Sequence, residues 1–418
     1  MELRENQKAI LKYIRELPYS LIVHYMRAGK TLPPCLYIKE MKGKALILCP
    51  PKAIPVWEKH LRMVKCPKKK YTIISHGILH ELKSTKEDSK YDLLIIDELH
   101  HFRNYSGRTQ FVLSLSKKIK KVVGLTATPI ENDLQNIFYE LQILDKGELF
   151  GTNKNEFQKE FCDCINPHSD YPKFMFKPHL VEPVMETLSK FTTVYRPPEI
   201  TPPSEFVWRF RLHKEHEEIL QKVVERTPIE EIGKANMKWE KGIITRKRLQ
   251  IASGFLLYDD KEEQEKYSWV FDRPSRKRDH LDGLLNSFED QQAVIWYNFV
   301  EERRLIIPWD RGGGYQFREF STENLKAFKK GKFQFLVCHP RSAGEGVDIS
   351  FCHNAVYLSH PFSMIEYEQS LYRLSSFRAK EEKFVHHLIP DHPFYEGLFY
   401  KLKLKKKSLN DFYKKGIL

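Results

Sequence analysis

Two short stretches carry side chains whose types and spacing suit phosphate chemistry. The first, "IVHYMRAGKTL" (22–32), places Gly29, Lys30 and Thr31 directly behind an aliphatic run. A turn between a strand and the start of a helix gathers backbone N–H groups at the positive end of the helix dipole, and both attract phosphate. Gly29 lets the backbone approach the anion, Lys30 can reach the β and γ phosphates, and Thr31 can ligate magnesium. The full GxxxxGK[ST] pattern asks for glycine at position 24, where this chain has His24. Taken alone, "GKT" therefore also reads as an ordinary surface turn.

The second stretch is "LLIIDELHHFRN" (93–104), in which four aliphatic residues run into Asp97 and Glu98. A phosphate-loop enzyme needs a buried strand that ends in an acid holding the metal, which assigns that role to Asp97. Glu98 is then placed to orient or deprotonate an attacking water. Both acids fall at the carboxyl end of a strand, where open α/β sheets bind their ligands. The competing reading, in which the pair only caps the following helix, loses ground once the upstream loop is counted.

Elements must hold these residues in place, and the chain supplies them. "SLIVHYM" (20–26), "KALILCP" (44–50), "YTIISH" (71–76), "DLLIID" (92–97) and "KVVGLTAT" (121–128) are short apolar runs separated by longer amphipathic stretches. Runs without polar alternation predict strands of a parallel sheet buried on both faces, joined by helices. The expectation is an α/β, doubly wound lobe over residues 1–200. Pro-rich "YRPPEITPPSE" (195–205) reads as a linker, and 206–274, rich in long charged residues, reads as mostly helical; together 201–274 form a connecting segment. The rhythm resumes with "QAVIWYNF", "FQFLVCH", "NAVYLSH" and "FVHHLI", predicting a second α/β lobe over 275–390, followed by a basic tail, 391–418.

Composition narrows the class. The 418 residues exceed what one core usually serves, and 41% hydrophobic residues can fill two. Lys plus Arg outnumber Asp plus Glu by 69 to 55, a net +14, with lysines clustered at 66–71, 116–121, 326–332 and 401–407. This balance points to a polyanionic partner. The seven cysteines form no CxxC pair, so a disulfide framework or zinc ribbon is not expected, and Cys162 and Cys164 with His168 lack a second ligand pair. The amino terminus has no signal-like apolar segment, and no run approaches a membrane span. An intracellular protein without membrane attachment is expected, cytoplasmic or nucleoid-associated.

The order of motifs resembles superfamily 2 helicases. "AGKT", "DELH", "LTATPIEND", "RSAGEGVDIS" and "EYEQSLYRLSSFR" occur in that family's order, and "DELHHFRN" with "GLTATPIENDLQNIF" looks most like the Swi/Snf-like branch of DNA translocases. "LRENQ" with Gln7 resembles the adenine-reading Q motif, "LCPPKAIPVWEKHL" resembles motif Ia, and "RKRLQIASGFLL" (246–257) resembles the helical entry to the second lobe. The resemblance covers about residues 3 to 390. It implies two RecA-like lobes and an ATP- and Mg2+-dependent motor on duplex, forked or branched DNA, gripping phosphates with little regard to sequence. Gln7, Ala28, Gly29, Lys30, Thr31, Gly346 and Asp348 would bind the cofactor, and Thr31 and Asp97 the metal. Thr126 and Thr128 would couple the lobes, with Arg341, Ser342 and Gly344 toward DNA.

The last motif departs from the family. Gln369 and Arg373 fill its first two places, but the third is Ser376, with Arg378 two residues on. Arg378 is expected to substitute as the arginine finger. The compact length is similar to helicases of bacterial viruses, so branch migration by a monomer, stepping 3′ to 5′ inside a host cell, is the expected task. A nucleotide-gated DNA-binding clamp and an RNA helicase are the alternative classes.

Overall fold

The computed structural model describes residues 2–25, 28–79, 90–127, 134–167, 172–195, 202–227, 229, 241–259, 266–307, 316–341, 348–361, 363–374 and 382–415. The chain divides into two compact units, Met1–Pro198 with Leu404–Leu418, and Glu199–Lys403.

In the first unit the order is α1 (Glu5–Glu16), β1 (Tyr19–His24), α2 (Leu32–Glu40), β2 (Ala45–Cys49), α3 (Ile54–Met63), β3 (Tyr71–Ser75), β4 (Leu93–Asp97), α4 (Gly107–Lys118) and β5 (Lys121–Thr126). There follow α5 (Phe138–Asp145), α6 (Lys154–Phe161), the small hairpin β6 (Cys162–Cys164) and β7 (Phe174–Phe176), α7 (Pro178–Ser189) and β8 (Thr192–Tyr195). Six strands form one parallel sheet in the order β3-β2-β4-β5-β1-β8. Leu46, Ile47, Leu48, Leu93 and Ile95 are fully buried, so burial on both faces explains the unbroken apolar runs. On one face Ile47, Leu93 and Ile95 pack with Ile10, Ile38 and Trp57. Because the sheet is parallel, the turns after β1, β4 and β5 share its carboxyl edge, and β1 and β4 flank β5.

The second unit contains β9 (Ser204–Phe210), α8 (Lys214–Glu225), α9 (Lys241–Ala252), the hairpin β10 (Phe255–Asp259) and β11 (Lys266–Val270), α10 (Lys277–Asn286), β12 (Ala293–Trp296) and α11 (Val300–Ile306). It continues with β13 (Phe317–Glu319), α12 (Thr322–Lys329), β14 (Phe335–Cys338), β15 (Asn354–Tyr357), α13 (Met364–Leu374) and β16 (Phe384–Pro390), and the last helix, α14 (Pro393–Lys415), belongs to it up to Lys403. Its sheet is again six-stranded and parallel, in the order β13-β14-β12-β15-β16-β9. Each unit is thus an α/β doubly wound parallel sheet, as the apolar runs predict.

The connecting segment differs from the expectation. Residues read as linker and helix contain β9, which pairs along its whole length with β16, and the antiparallel hairpin β10–β11. An edge strand has one hydrogen-bonded neighbour and a half-exposed face, so it needs no continuous apolar run; "SEFVWRF" accordingly leaves Phe206 and Trp208 exposed. Helix α9 stops before Gly254, whose φ of +83° turns the chain into β10. In the tail, Phe399 packs on His360 and His387 with ring centroids 4.9 Å from each, whereas Tyr400 is exposed. Phe412 and Tyr413 lie outside the described side chains.

A buried ion pair pins the second unit. Glu302 on α11 is 0% exposed, and its Oε1 accepts from Lys277 Nζ at 2.8 Å and Ser253 Oγ at 2.8 Å. Its Oε2 accepts from Asn298 N at 3.0 Å and Ser359 Oγ at 2.7 Å. Burial opposes the charge, but Lys277 and these donors outweigh it and hold the Glu302 carboxyl below the ordinary glutamate range. Glu302→Gln should destabilise the protein by about 3–5 kcal/mol, because it strands the Lys277 charge. A depressed folded-state pKa stabilises above the unfolded value and loses that contribution as pH falls through the folded one. Denaturant midpoints of wild type and variant should therefore differ most at neutral pH and converge under acid; a gap independent of pH would refute the pairing.

Candidate functional site

The turn after β1 begins with a fully buried His24 and reaches Gly29 at φ +79°, a conformation that favours glycine. A Cβ at Gly29 would meet Arg4 Nη2 and Gln7 Nε2, so any other residue would have to displace these two side-chain ends as well as bear the backbone strain. Thr31 caps α2, and Pro33 and Pro34 follow in its first turn. Proline is tolerated there because these N–H groups have no helical partner. The amides this turn can turn toward an anion are therefore those of residues 29–32.

Asp97 closes β4, and its Oδ2 accepts from Trp57 Nε1 on α3 at 2.8 Å while its Oδ1 accepts from Glu98 N at 3.1 Å. Trp57 is fully buried, so its indole fixes the carboxylate's orientation. Sequence reading placed Trp57 only within motif Ia; that its N–H meets Asp97 is a tertiary fact. Glu98 adopts a left-handed backbone, φ 51° and ψ 56°, which is strained for a residue with a Cβ. That turn lifts its side chain out of the strand's alternation and buries it, with His100 Nδ1 3.3 Å from Oε2. The same nitrogen lies 3.3 Å from Oγ1 of Thr126, at the end of β5.

The two carboxylates sit in unequal fields. Burial, then the charge of Glu98, push the Asp97 carboxyl upward, while Lys30 and the Trp57 indole oppose the rise. Glu98 is also penalised by burial, but Lys30 and His100 overcome this and hold it below the usual carboxylate range. Lys30 thus acts on both acids. A carboxylate crowded by a like charge is relieved by a cation, and two carboxylates with the Thr31 hydroxyl are the hard oxygen donors magnesium takes. The residues fit magnesium and a phosphate chain on these grounds.

Sequence reading missed a histidine beside this pair. His76, just after β3, meets His101 with Nδ1 atoms 3.1 Å apart. Burial lowers both, His76 to about 3 and His101 to about 4, so both are neutral near pH 7. The only signal was position: His76 follows its strand as Asp97 ends its own.

The remaining predicted residues divide three ways. Asn6 Nδ2 and Arg4 Nη2 donate to Ala28 O, at 2.9 and 2.8 Å. Gln7, expected to read adenine, engages both ends of its amide inside the protein, Nε2 donating to Gly29 O at 3.2 Å and Oε1 accepting from Arg4 N at 3.1 Å. In the second unit, Gln369 and Arg373 lie on α13, Arg373 buried with its charge acting on the Cys338 thiol and the Tyr357 hydroxyl. Arg341 is exposed and donates to Glu366 at 2.5 Å, and Asp348 Oδ1 accepts from Ser350 N at 3.0 Å and Ser350 Oγ at 2.7 Å. Thr128, Ser342, Gly344, Gly346, Ser376 and Arg378 lie outside the described residues.

Comparison with known proteins gives a consistent class. A family model described as the SNF2-related domain matches residues 64–253. The chain is 25% identical, over 92% of its length and 74% of the relative's, to YqhH of Bacillus subtilis, described as an uncharacterized ATP-dependent helicase. It is 24% identical to the putative protein p41 of Acyrthosiphon pisum secondary endosymbiont phage 1, covering 72% of this chain and 67% of that one. Among solved structures, the Sulfolobus solfataricus SWI2/SNF2 ATPase core in complex with dsDNA aligns over 100% of this chain and 94% of that chain, at TM-score 0.42 and 18% identity. The match to the SNF2-related domain and the similarity to an ATP-dependent helicase over most of the chain support the Swi/Snf-like branch of superfamily 2.

Proposed function

We propose that this chain is an ATP-dependent DNA translocase or helicase acting on duplex, forked or branched DNA. The observation that carries the reading is that the turn after β1, which holds Lys30, and the acids at the end of β4 share one carboxyl edge with only β5 between the two strands, where the Lys30 charge favours ionisation of both acids. Lys30 and the amides of residues 29–32 bind the phosphate chain. Thr31 and Asp97 hold magnesium, which when bound supplies charge stabilisation at the transferring phosphoryl group. Glu98, ionised and steadied by His100, orients the attacking water and accepts its proton. Thr126, on the far side of His100, is placed to sense that step. Gln369, Arg373, Arg378 and the 341–348 stretch are the second unit's contribution to nucleotide and DNA.

DNA is the partner favoured by charge. Lys68, Lys69, Lys117, Lys118, Lys329 and Lys330 are all exposed, so these clusters put positive charge at the surface, where phosphates can approach. None of the described helices is long and apolar enough to cross a membrane. Branch migration is the task proposed within this class, and the phage relative agrees with an origin in bacterial viruses.

ATP hydrolysis measured alone and with single-stranded DNA, duplex, a four-way junction or RNA tests the proposal. Turnover should rise with DNA, most with the junction. Tight DNA binding without stimulation by any polymer would instead make the chain a nucleotide-gated clamp, and stimulation by RNA alone an RNA helicase. Duplex affinity should fall with a slope of about −0.9 in log K against log salt for each phosphate contacted. A flat salt response would remove the electrostatic argument.

A further inference from the structure

Two consecutive carbonyls of the phosphate turn are held from one side. Ala28 O accepts from Asn6 Nδ2 at 2.9 Å and Arg4 Nη2 at 2.8 Å, and Gly29 O accepts from Gln7 Nε2 at 3.2 Å. All three donors belong to the amino end of α1 and its capping residue. In a trans peptide the C=O and the following N–H point in opposite directions. Drawing these two carbonyls toward α1 therefore aims the Gly29 and Lys30 N–H groups away from it, as paired donors of the kind that cradle an anion.

Asn6 is itself oriented. Its Nδ2 lies 3.5 Å from His24 Nδ1, and His24 Nε2 lies 3.1 Å from Thr193 Oγ1 on β8. Asn6 donates, so Nδ1 accepts and Nε2 carries the proton to Thr193. His24 is 0% exposed and neutral, burial first and the Lys30 charge second lowering it to about 3. The histidine in the place of the usual glycine thus has a complete set of partners.

We propose that Arg4 and Asn6, the latter oriented by His24 and Thr193, are positioning residues that clamp the Ala28 carbonyl and so preset the phosphate-binding amides of Gly29 and Lys30. This deepens the proposed nucleotide site and rests on it. The clamp serves the phosphates, not the base. It also predicts that restoring glycine at position 24 harms binding.

The test uses the full chain and fluorescent ATP, ADP and adenosine analogues with magnesium, beside melting curves. Wild type should bind ATP and Lys30→Ala should not; failure here overturns the site itself, and with it the clamp. Asn6→Ala and His24→Gly should weaken ATP and ADP about 10-fold, the scale of an under-satisfied buried polar group, leaving adenosine unchanged. KM for ATP should rise while kcat holds, because Glu98 is untouched. Thr193→Val should share the loss and Thr193→Ser should restore binding, a nearly isosteric pair that keeps the test valid if His24→Gly unfolds. Wild-type ATP affinity in Asn6→Ala and Thr193→Val, or equal loss of adenosine and ATP, would overturn the clamp while leaving the site standing.

Discussion

Glu98→Gln should retain ATP binding and lose hydrolysis by a factor of about 10²–10⁴, the usual worth of a positioned general base. The substitution is nearly isosteric, so it keeps the buried side chain in its left-handed turn and removes only the charge. That charge is what the surroundings are built to maintain, since Lys30 and His100 offset the burial. In the proposed site binding rests on other groups, the amides of residues 29–32, Lys30 and Asp97, and should survive. Single-turnover hydrolysis beside equilibrium nucleotide binding separates the two. Ordinary turnover in Glu98→Gln would take Glu98 out of the mechanism and leave it a structural acid on His100.

Arg378→Ala should depress DNA-stimulated turnover by about 10³–10⁵, the scale for an arginine finger. Arg373 is the neighbour that could compete for the role. Arg373 is buried on α13, where its charge acts on Cys338 and Tyr357, and Ser376 stands where the family places its second arginine. Arg378 is the next arginine along the chain and the proposed finger. Arg373→Ala should instead lower the melting temperature as well as activity, because it disturbs buried neighbours. If Arg378→Ala turned over normally while Arg373→Ala alone abolished hydrolysis without loss of stability, the assignment would move to Arg373.

The sequence by itself determined the two parallel sheets. Their twelve strands do not all announce themselves equally, however: runs such as "LLIID" and "ALILC" are legible because burial on both faces demands unbroken apolar residues. The edge strands β8, β9 and β13 were not legible, since an edge strand tolerates polar residues and β9 follows directly on prolines. Lys30, Thr31, Asp97 and Glu98 could be proposed from the sequence because phosphate and metal chemistry restricts residue type and spacing. Only the tertiary structure decided who supports them. Trp57 on Asp97, His100 between Glu98 and Thr126, Asn6 on the Ala28 carbonyl and Thr193 on His24 are contacts between segments as far apart as 40 and 169 residues. Hydrogen bonds of this kind depend on the direction of a side chain in space, and no local periodicity encodes that direction.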